Sequence, residues 1–223
     1  VDEEPIFGRE EARQYEAWFD TKEGRRADEQ EKALMRRLLA GLAPPGTMLE
    51  VACGTGHFSR WFKDELGWQV NGIDISLPML KEALARNPEF PLGLADAAAL
   101  PFADDSHDVV VVITALEFMA EPVSALREAI RVARRGIIVC VLNRWSLLAM
   151  WRRVQGLFVS TSYDEARFLS AGELRHMLQQ AAPDLPVQVE MRTAVWPGVL
   201  AMLEKSQWSW GAFLGMRVLF DNI

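Results

Sequence analysis

Apolar positions recur along the chain in two rhythms. Leu34, Met35, Leu38, Leu39 and Leu42 share one face at helical period, preceded by Asp28 and Glu31 at capping-box spacing. Pro44, Pro45 and Gly46 stop that helix. From there, short apolar runs alternate with amphipathic stretches. Strands are expected over Met48–Ala52, Gln69–Ile75, Leu92–Ala95, Asp108–Ala115 and Gly136–Leu142, with helices over Ser59–Leu66, Ser76–Ala85 and Val123–Ala133 between them. Strands apolar on both faces, alternating with helices, imply a parallel sheet covered on both sides.

After the fifth strand the alternation breaks. The stretch from Asn143 to Phe168 is irregular and carries Trp145 and Trp151. Ser170 and Glu173 make a second capping box, opening a helix that ends before Pro183. Val187–Trp196 and Ala212–Phe220 offer two last strands, so the expected α/β sheet has seven strands, mainly parallel with the last antiparallel. One domain is expected: a helical N-terminal arm over 1–45, a core over 46–142, and further segments with the last strands over 143–223.

Composition narrows the function. Of 223 residues, 50% are apolar and 25% charged, enough to bury a sizeable core. No apolar run approaches the roughly 18 residues of a membrane span, and Val1 to Pro5 are acidic, unlike a signal peptide. Thirty-one acids against 24 bases give a net charge of -7, which argues against nucleic acid as a partner. Cys53 and Cys140 are too few for a disulfide framework or structural zinc, and three scattered histidines suggest no metal. A cytoplasmic protein is expected, with peripheral membrane contact and oligomeric state left open.

The sharpest motif is LEVACGTGHFS, residues 49–59: a buried strand, a turn holding Gly54 and Gly56, then a helix. Glycines there let backbone approach a ligand, and the helix start offers free N–H groups, although a tight turn needs no ligand. Asp74 ends the second strand, where an acid suits two ribose hydroxyls or caps the next helix. Asp96 ends the third strand. A dinucleotide fingerprint wants a third glycine where Ser59 stands, and Glu50 beside the loop would repel a pyrophosphate. An adenosyl ligand with a cationic amino-acid tail fits these charges better.

Together with VNGIDISLPMLKEA, LADAAALPFADDSHDVVVVITALEFM and REAIRVARRGIIVCVLNRWS, the turn makes residues 47–142 resemble a class I S-adenosylmethionine-dependent methyltransferase. The likeness is to the small-molecule type related to the quinone and sterol methyltransferases. Ala52 departs from the family's usual glycine, and Glu50 replaces its commoner aspartate. The resemblance implies a Rossmann-like fold binding S-adenosyl-L-methionine and releasing S-adenosyl-L-homocysteine. It implies that Glu50 and the turn with Cys53, Gly54 and Gly56 cradle the methionine part, and that Asp74 takes the ribose hydroxyls. Ile75 and Met79 would sandwich the adenine, Asp96 and the Ala97 backbone would read its edge, and Thr114 would line the floor beneath the sulfonium. Tyr15 and Trp18 on the arm would touch the cofactor. Otherwise, Ile75 and Met79 are core, Thr114 a strand-end residue, and Tyr15 and Trp18 the packing of the arm on the domain.

Methyl transfer from a sulfonium needs alignment more than acid–base help. His57, Glu117 and Asn143 are candidates for a base, and each also reads as a residue with ordinary structural duty. The acceptor should lie beyond the carboxyl ends of the strands, where the connections carry Trp145, Trp151, Trp196, Trp208 and Trp210. These rings suggest either a lid over a hydrophobic small molecule, or loop packing and a dimer contact. The function expected is methyl transfer to a small molecule. The alternatives are a non-catalytic adenosyl-ligand-binding protein and, disfavoured by Ser59 and Glu50, an NAD-dependent oxidoreductase.

Overall fold

The computed structural model describes residues 7–42, 44, 46–86, 88–144, 146, 167–184, 187–194 and 211–220. Two helices, α1 (Arg9–Phe19) and α2 (Lys22–Leu38), precede the sheet. The sheet then builds from β1 (Thr47–Val51), α3 (His57–Asp64), β2 (Gln69–Asp74), α4 (Leu77–Ala85), β3 (Leu92–Leu94) and β4 (His107–Ile113). A 3-10 turn (Leu116–Phe118), α5 (Pro122–Val132), β5 (Ala133–Leu142), α6 (Ala171–Ala181), β6 (Val187–Ala194) and β7 (Phe213–Phe220) complete it. The seven strands lie in the order β3-β2-β1-β4-β5-β7-β6. β1 to β5 run parallel, and β7 inserts antiparallel between β5 and β6. This is the expected seven-stranded, mainly parallel sheet with its last strand reversed.

The period of β4 shows why the sheet must be covered twice. Every residue of β4 is buried. Val110 and Val112 face a cluster with Leu126 of α5 and Leu174 of α6. Val109, Val111 and Ile113 face the opposite cluster, with Leu34, Met35 and Leu38 of α2 and Phe58 and Phe62 of α3. Successive side chains of a strand point to opposite faces, so an all-apolar strand needs helices on both.

One expected start is corrected. Asp28 and Glu31 cap nothing; both lie inside α2, whose N-cap is Thr21, its hydroxyl accepting from the Gly24 N–H at 2.9 Å. Asp28 instead reaches Lys32 and His57, each at 2.8 Å. The Ser170–Glu173 capping box forms at α6. Among the described residues no helix is long and apolar enough to cross a membrane.

Candidate functional site

The site forms where β1 and β2 end side by side, at the carboxyl edge of the sheet. Beyond β1 the backbone turns left-handed at Ala52 (φ 57°), Gly54 (φ 56°) and Gly56 (φ 73°). Gly56 is the N-cap of α3, so the first N–H groups of that helix open toward the turn. A Cβ on Gly54 would meet nothing within 4 Å, so the open side of the turn lies there. The Thr55 hydroxyl is fully buried and has no hydrogen-bond partner among the described residues.

Asp74, 7% exposed, ties the turn to the next helix. Its Oδ2 accepts from the Gly54 N–H and its Oδ1 from the Ser76 N–H, both at 2.7 Å. A carboxylate has about four lone-pair sites, so acceptor capacity remains beside these N–H groups for a hydroxyl donor. Burial raises the Asp74 pKa, against the N–H groups of Ser76, Gly54 and Ile75. Glu50, 2% exposed near the end of β1, accepts from the Ser59 hydroxyl in the first turn of α3. Burial pushes Glu50 up to about 8, with Asp74's charge adding and Ser59 and Arg60 opposing. Ser59 thus holds an acid at the position where a dinucleotide fold keeps glycine, and the two features that disfavour NAD are one interaction.

The remaining expected residues surround this pair. Ile75 is 67% exposed beside Asp74, whereas Met79 is buried in the first turn of α4, its N–H on the Ser76 hydroxyl at 3.3 Å. Asp96 is exposed after β3 and accepts from the Ala98 N–H at 2.8 Å; Ala97 between them is half-buried. Cys53 is buried, its N–H on the Ile73 carbonyl at 2.8 Å, and burial pushes its thiol well above the ordinary value. Thr114 follows β4 at φ 46°, its N–H on the Cys140 carbonyl at 2.7 Å. Tyr15 and Trp18 each set a ring edge-on to Phe19, at 5.2 and 5.1 Å.

Phe19 in turn stacks on His57 at 3.7 Å, and His57 Nε2 bonds Asp28 Oδ1. His57 therefore fastens the arm to the glycine turn. Glu117 is 3% exposed, not a surface group: its Oε1 accepts from the Leu142 N–H, and its Oε2 has no hydrogen-bond partner among the described residues. Asn143 is buried and donates to the Gly211 carbonyl at 2.8 Å. Trp145, Trp151, Trp196, Trp208 and Trp210 lie outside the described residues.

Two contacts escaped the sequence. Arg60 donates to the Thr55 carbonyl at 2.7 Å and pairs with Glu16 of α1 at 3.0 Å, so it too fastens the arm to the turn. Phe7 accepts from the Ser76 hydroxyl at 2.8 Å and packs on Phe118 at 5.0 Å, crossing from the α4 start to the turn after β4. Only the aromatic character of position 7 hinted at this. The donor set fits an adenosyl ligand: carboxylate acceptors, an exposed apolar Ile75, and a turn with open space and an orphan hydroxyl.

Known proteins share this architecture. The family model described as a methyltransferase domain matches residues 49–141. An uncharacterized protein of Methanocaldococcus jannaschii is 36% identical over 172 residues, covering 76% of this chain and 77% of that one. The demethylmenaquinone methyltransferase of Beutenbergia cavernae is 30% identical over 174 residues, covering 75% of this chain and 68% of that one. A solved SAM-dependent methyltransferase of Thermotoga maritima, described as a possible histamine N-methyltransferase, aligns with a TM-score of 0.73 at 26% identity. That alignment covers 97% of this chain and 99% of the other.

Proposed function

The chain belongs to the S-adenosylmethionine-dependent methyltransferases, and from that premise we propose that its acceptor is a small molecule held over the carboxyl ends of β4 and β5. The observation that carries the cofactor end is the Asp74 clamp, an acid fixed by the Gly54 and Ser76 N–H groups with lone pairs left for ribose hydroxyls. Glu50, Cys53, Gly54 and Gly56 would hold the methionine part, Ile75 and Met79 the adenine faces, and Asp96 with the Ala97 backbone its edge. Thr114 would floor the methyl position. Tyr15 and Trp18, held through Phe19, would close the arm over it. In this reading 1–45 is the arm, 46–142 the cofactor-binding core and 143–223 the acceptor side.

S-adenosylmethionine supplies, when bound, a methyl group on a sulfonium that needs no further activation. The chain's residues then have three tasks: to fix the adenosyl end, to align the acceptor in line with the methyl–sulfur bond, and to exclude water. The arm serves the last task, because Phe7, Phe19 and Glu16 join it to both sides of the turn. A small-molecule acceptor is supported by the likeness to a demethylmenaquinone methyltransferase and to a possible histamine N-methyltransferase. A cytoplasmic setting is supported by the free thiols of Cys53 and Cys140.

Calorimetry with S-adenosylhomocysteine tests the reading. Asp74→Ala should bind about 10- to 150-fold more weakly, the worth of a hydrogen bond to a charge. Equal affinity for wild type and variant, with the fold intact, would remove Asp74 from the site.

A further inference from the structure

Among the described residues three buried side-chain polar atoms lack a hydrogen-bond partner: the Thr55 hydroxyl, Trp61 Nε1 and Glu117 Oε2. Thr55 belongs to the glycine turn, and Trp61 lies under Lys32 and Arg36, whose charged ends stand 5.8 and 5.0 Å from its ring centre. Glu117 is the one acid, in the 3-10 turn after β4 and 3% exposed. A buried acceptor of this kind is costly to fold around, and a ligand that brings a donor recovers the loss.

The sheet fixes where that carboxyl stands. β4 and β5 pair with Ile113 beside Cys140, and the Thr114 N–H continues the ladder onto the Cys140 carbonyl. The next rung of a parallel ladder would run from the Leu142 N–H to the Thr114 carbonyl. At φ 46° Thr114 turns the chain out of the sheet, and Glu117 Oε1 takes the Leu142 N–H instead. The carboxyl therefore fills the end of the β4 lane beside Thr114, the residue placed beneath the methyl position. The adjoining strand is β1, which leads into the cofactor turn. A second tie runs through Phe118, which packs on Phe7 at 5.0 Å; the Phe7 carbonyl accepts from the Ser76 hydroxyl, and the Ser76 N–H donates to Asp74. Burial pushes the Glu117 pKa up to about 7, against the N–H groups of Leu142 and of Glu117 itself.

We propose that Glu117 orients the acceptor: its Oε2 accepts a hydrogen bond from an O–H or N–H of the small molecule, which is a protic compound carrying that group at or beside the atom to be methylated. The inference rests on the methyltransferase reading above and names the chemistry of its acceptor. With Oε1 held by the Leu142 backbone, the carboxyl presents its second oxygen in a fixed direction, as alignment of an acceptor requires. A polar hydrogen satisfies that oxygen. An apolar group of the same shape leaves a buried acid unmatched, which is how a site built to hydrogen-bond a substrate rejects the analogue without the donor. The discrimination falls on the acceptor alone, because Asp74 and Glu50 are held by their own partners at the adenosyl end.

Matched probes test it: 4-ethylphenol against 4-ethyltoluene, and phenethylamine against n-propylbenzene, each pair exchanging a protic group for a methyl of similar size. Each is titrated into the protein saturated with S-adenosylhomocysteine. At least one protic probe should bind about 10-fold or more tightly than its partner, and which one does so assigns hydroxyl or amine. That probe should also shift the Leu142 amide resonance in a nitrogen-15 correlation spectrum, because probe and Leu142 N–H share one carboxyl; its partner should leave the resonance in place. Glu117→Gln keeps an oxygen for Leu142 but offers an amide N–H where Oε2 stood. The preference should then fall below about twofold, with S-adenosylhomocysteine affinity within about twofold of wild type. A residue that only holds the turn would leave the preference unchanged. Equal binding within both pairs, no binding by either protic probe, a preference without the Leu142 shift, or a preference kept in Glu117→Gln would overturn the inference. The Leu142 signal is read in wild type, so a variant that fails to fold leaves the test decisive. Wild type that does not bind S-adenosylhomocysteine would overturn the cofactor reading and this inference with it, whereas wild type that binds it without the preference overturns this inference alone.

Discussion

Ala52 carries a β-carbon in a left-handed backbone, at φ 57°, where its relatives' resemblance leads one to expect glycine. That conformation costs a side chain about 1–2 kcal/mol, and glycine returns part of the difference as chain entropy when unfolded. Ala52→Gly should therefore raise stability by about 0.5–1 kcal/mol, read as a higher denaturant midpoint at unchanged slope. A lower midpoint would mean that the methyl packs usefully against the core. Glu50 sets a different balance. Its pKa is pushed from 4.5 to about 8, so the folded chain holds that proton more tightly than the unfolded one. The resulting stability is full below pH 4.5 and is lost as the pH climbs toward 8. Glu50→Gln cannot titrate, so its melting temperature should gain on that of wild type between pH 5 and 8.5. Parallel curves would show that Glu50 is ionised throughout.

At the scale of elements, the arm is held by contacts between residues far apart in sequence. Phe19 of α1 stacks on His57, which bonds Asp28 of α2, while Arg60 of α3 pairs with Glu16 of α1. His57→Ala removes a stacked ring and a bond to a carboxylate, and should cost about 1–3 kcal/mol in a denaturant melt. Methyl transfer at saturating substrates should survive within about tenfold, whereas a catalytic base would lose about 100-fold or more. The same contacts explain what the sequence concealed. The apolar runs gave β1, β2, β4 and β5 to within a few residues, because burial on both faces leaves an unbroken signature. The turn from Ala52 to Gly56 and the acid at Asp74 were legible because glycine spacing and strand ends are local. Asp28 and Glu31 misled because capping-box spacing is also the spacing of one helix face. What occupies Asp28 is a histidine 29 residues away. Glu117 read as a surface or cap residue because its partner, the Leu142 N–H, belongs to the next strand of the sheet.

At the scale of the molecule, the strands lie between two cores, one on each face, and end along one edge of the sheet. The carboxyl ends of β1, β2 and β4 supply Glu50, Asp74 and Thr114, and the arm joins them through Phe7 and Phe19. A ligand filling that edge touches groups from α3, α4 and the turns after β1, β2 and β4, so its binding free energy should appear as stability of the whole fold. At 100 times its dissociation constant, S-adenosylhomocysteine should add about 2.7 kcal/mol. A chain of this length gains about 2–4 °C per kcal/mol, so the melting temperature should rise by about 5–11 °C. Asp74→Ala at the same ligand concentration should show less than about half that rise, since its affinity is about 10- to 150-fold lower. NAD at the same concentration should produce none, because Ser59 and Glu50 occupy the place where a pyrophosphate would meet glycine and backbone. A rise with NAD matching that with S-adenosylhomocysteine would mean that the turn accepts phosphate despite the buried acid. A full rise in Asp74→Ala would mean that the adenosyl group is held elsewhere along the edge.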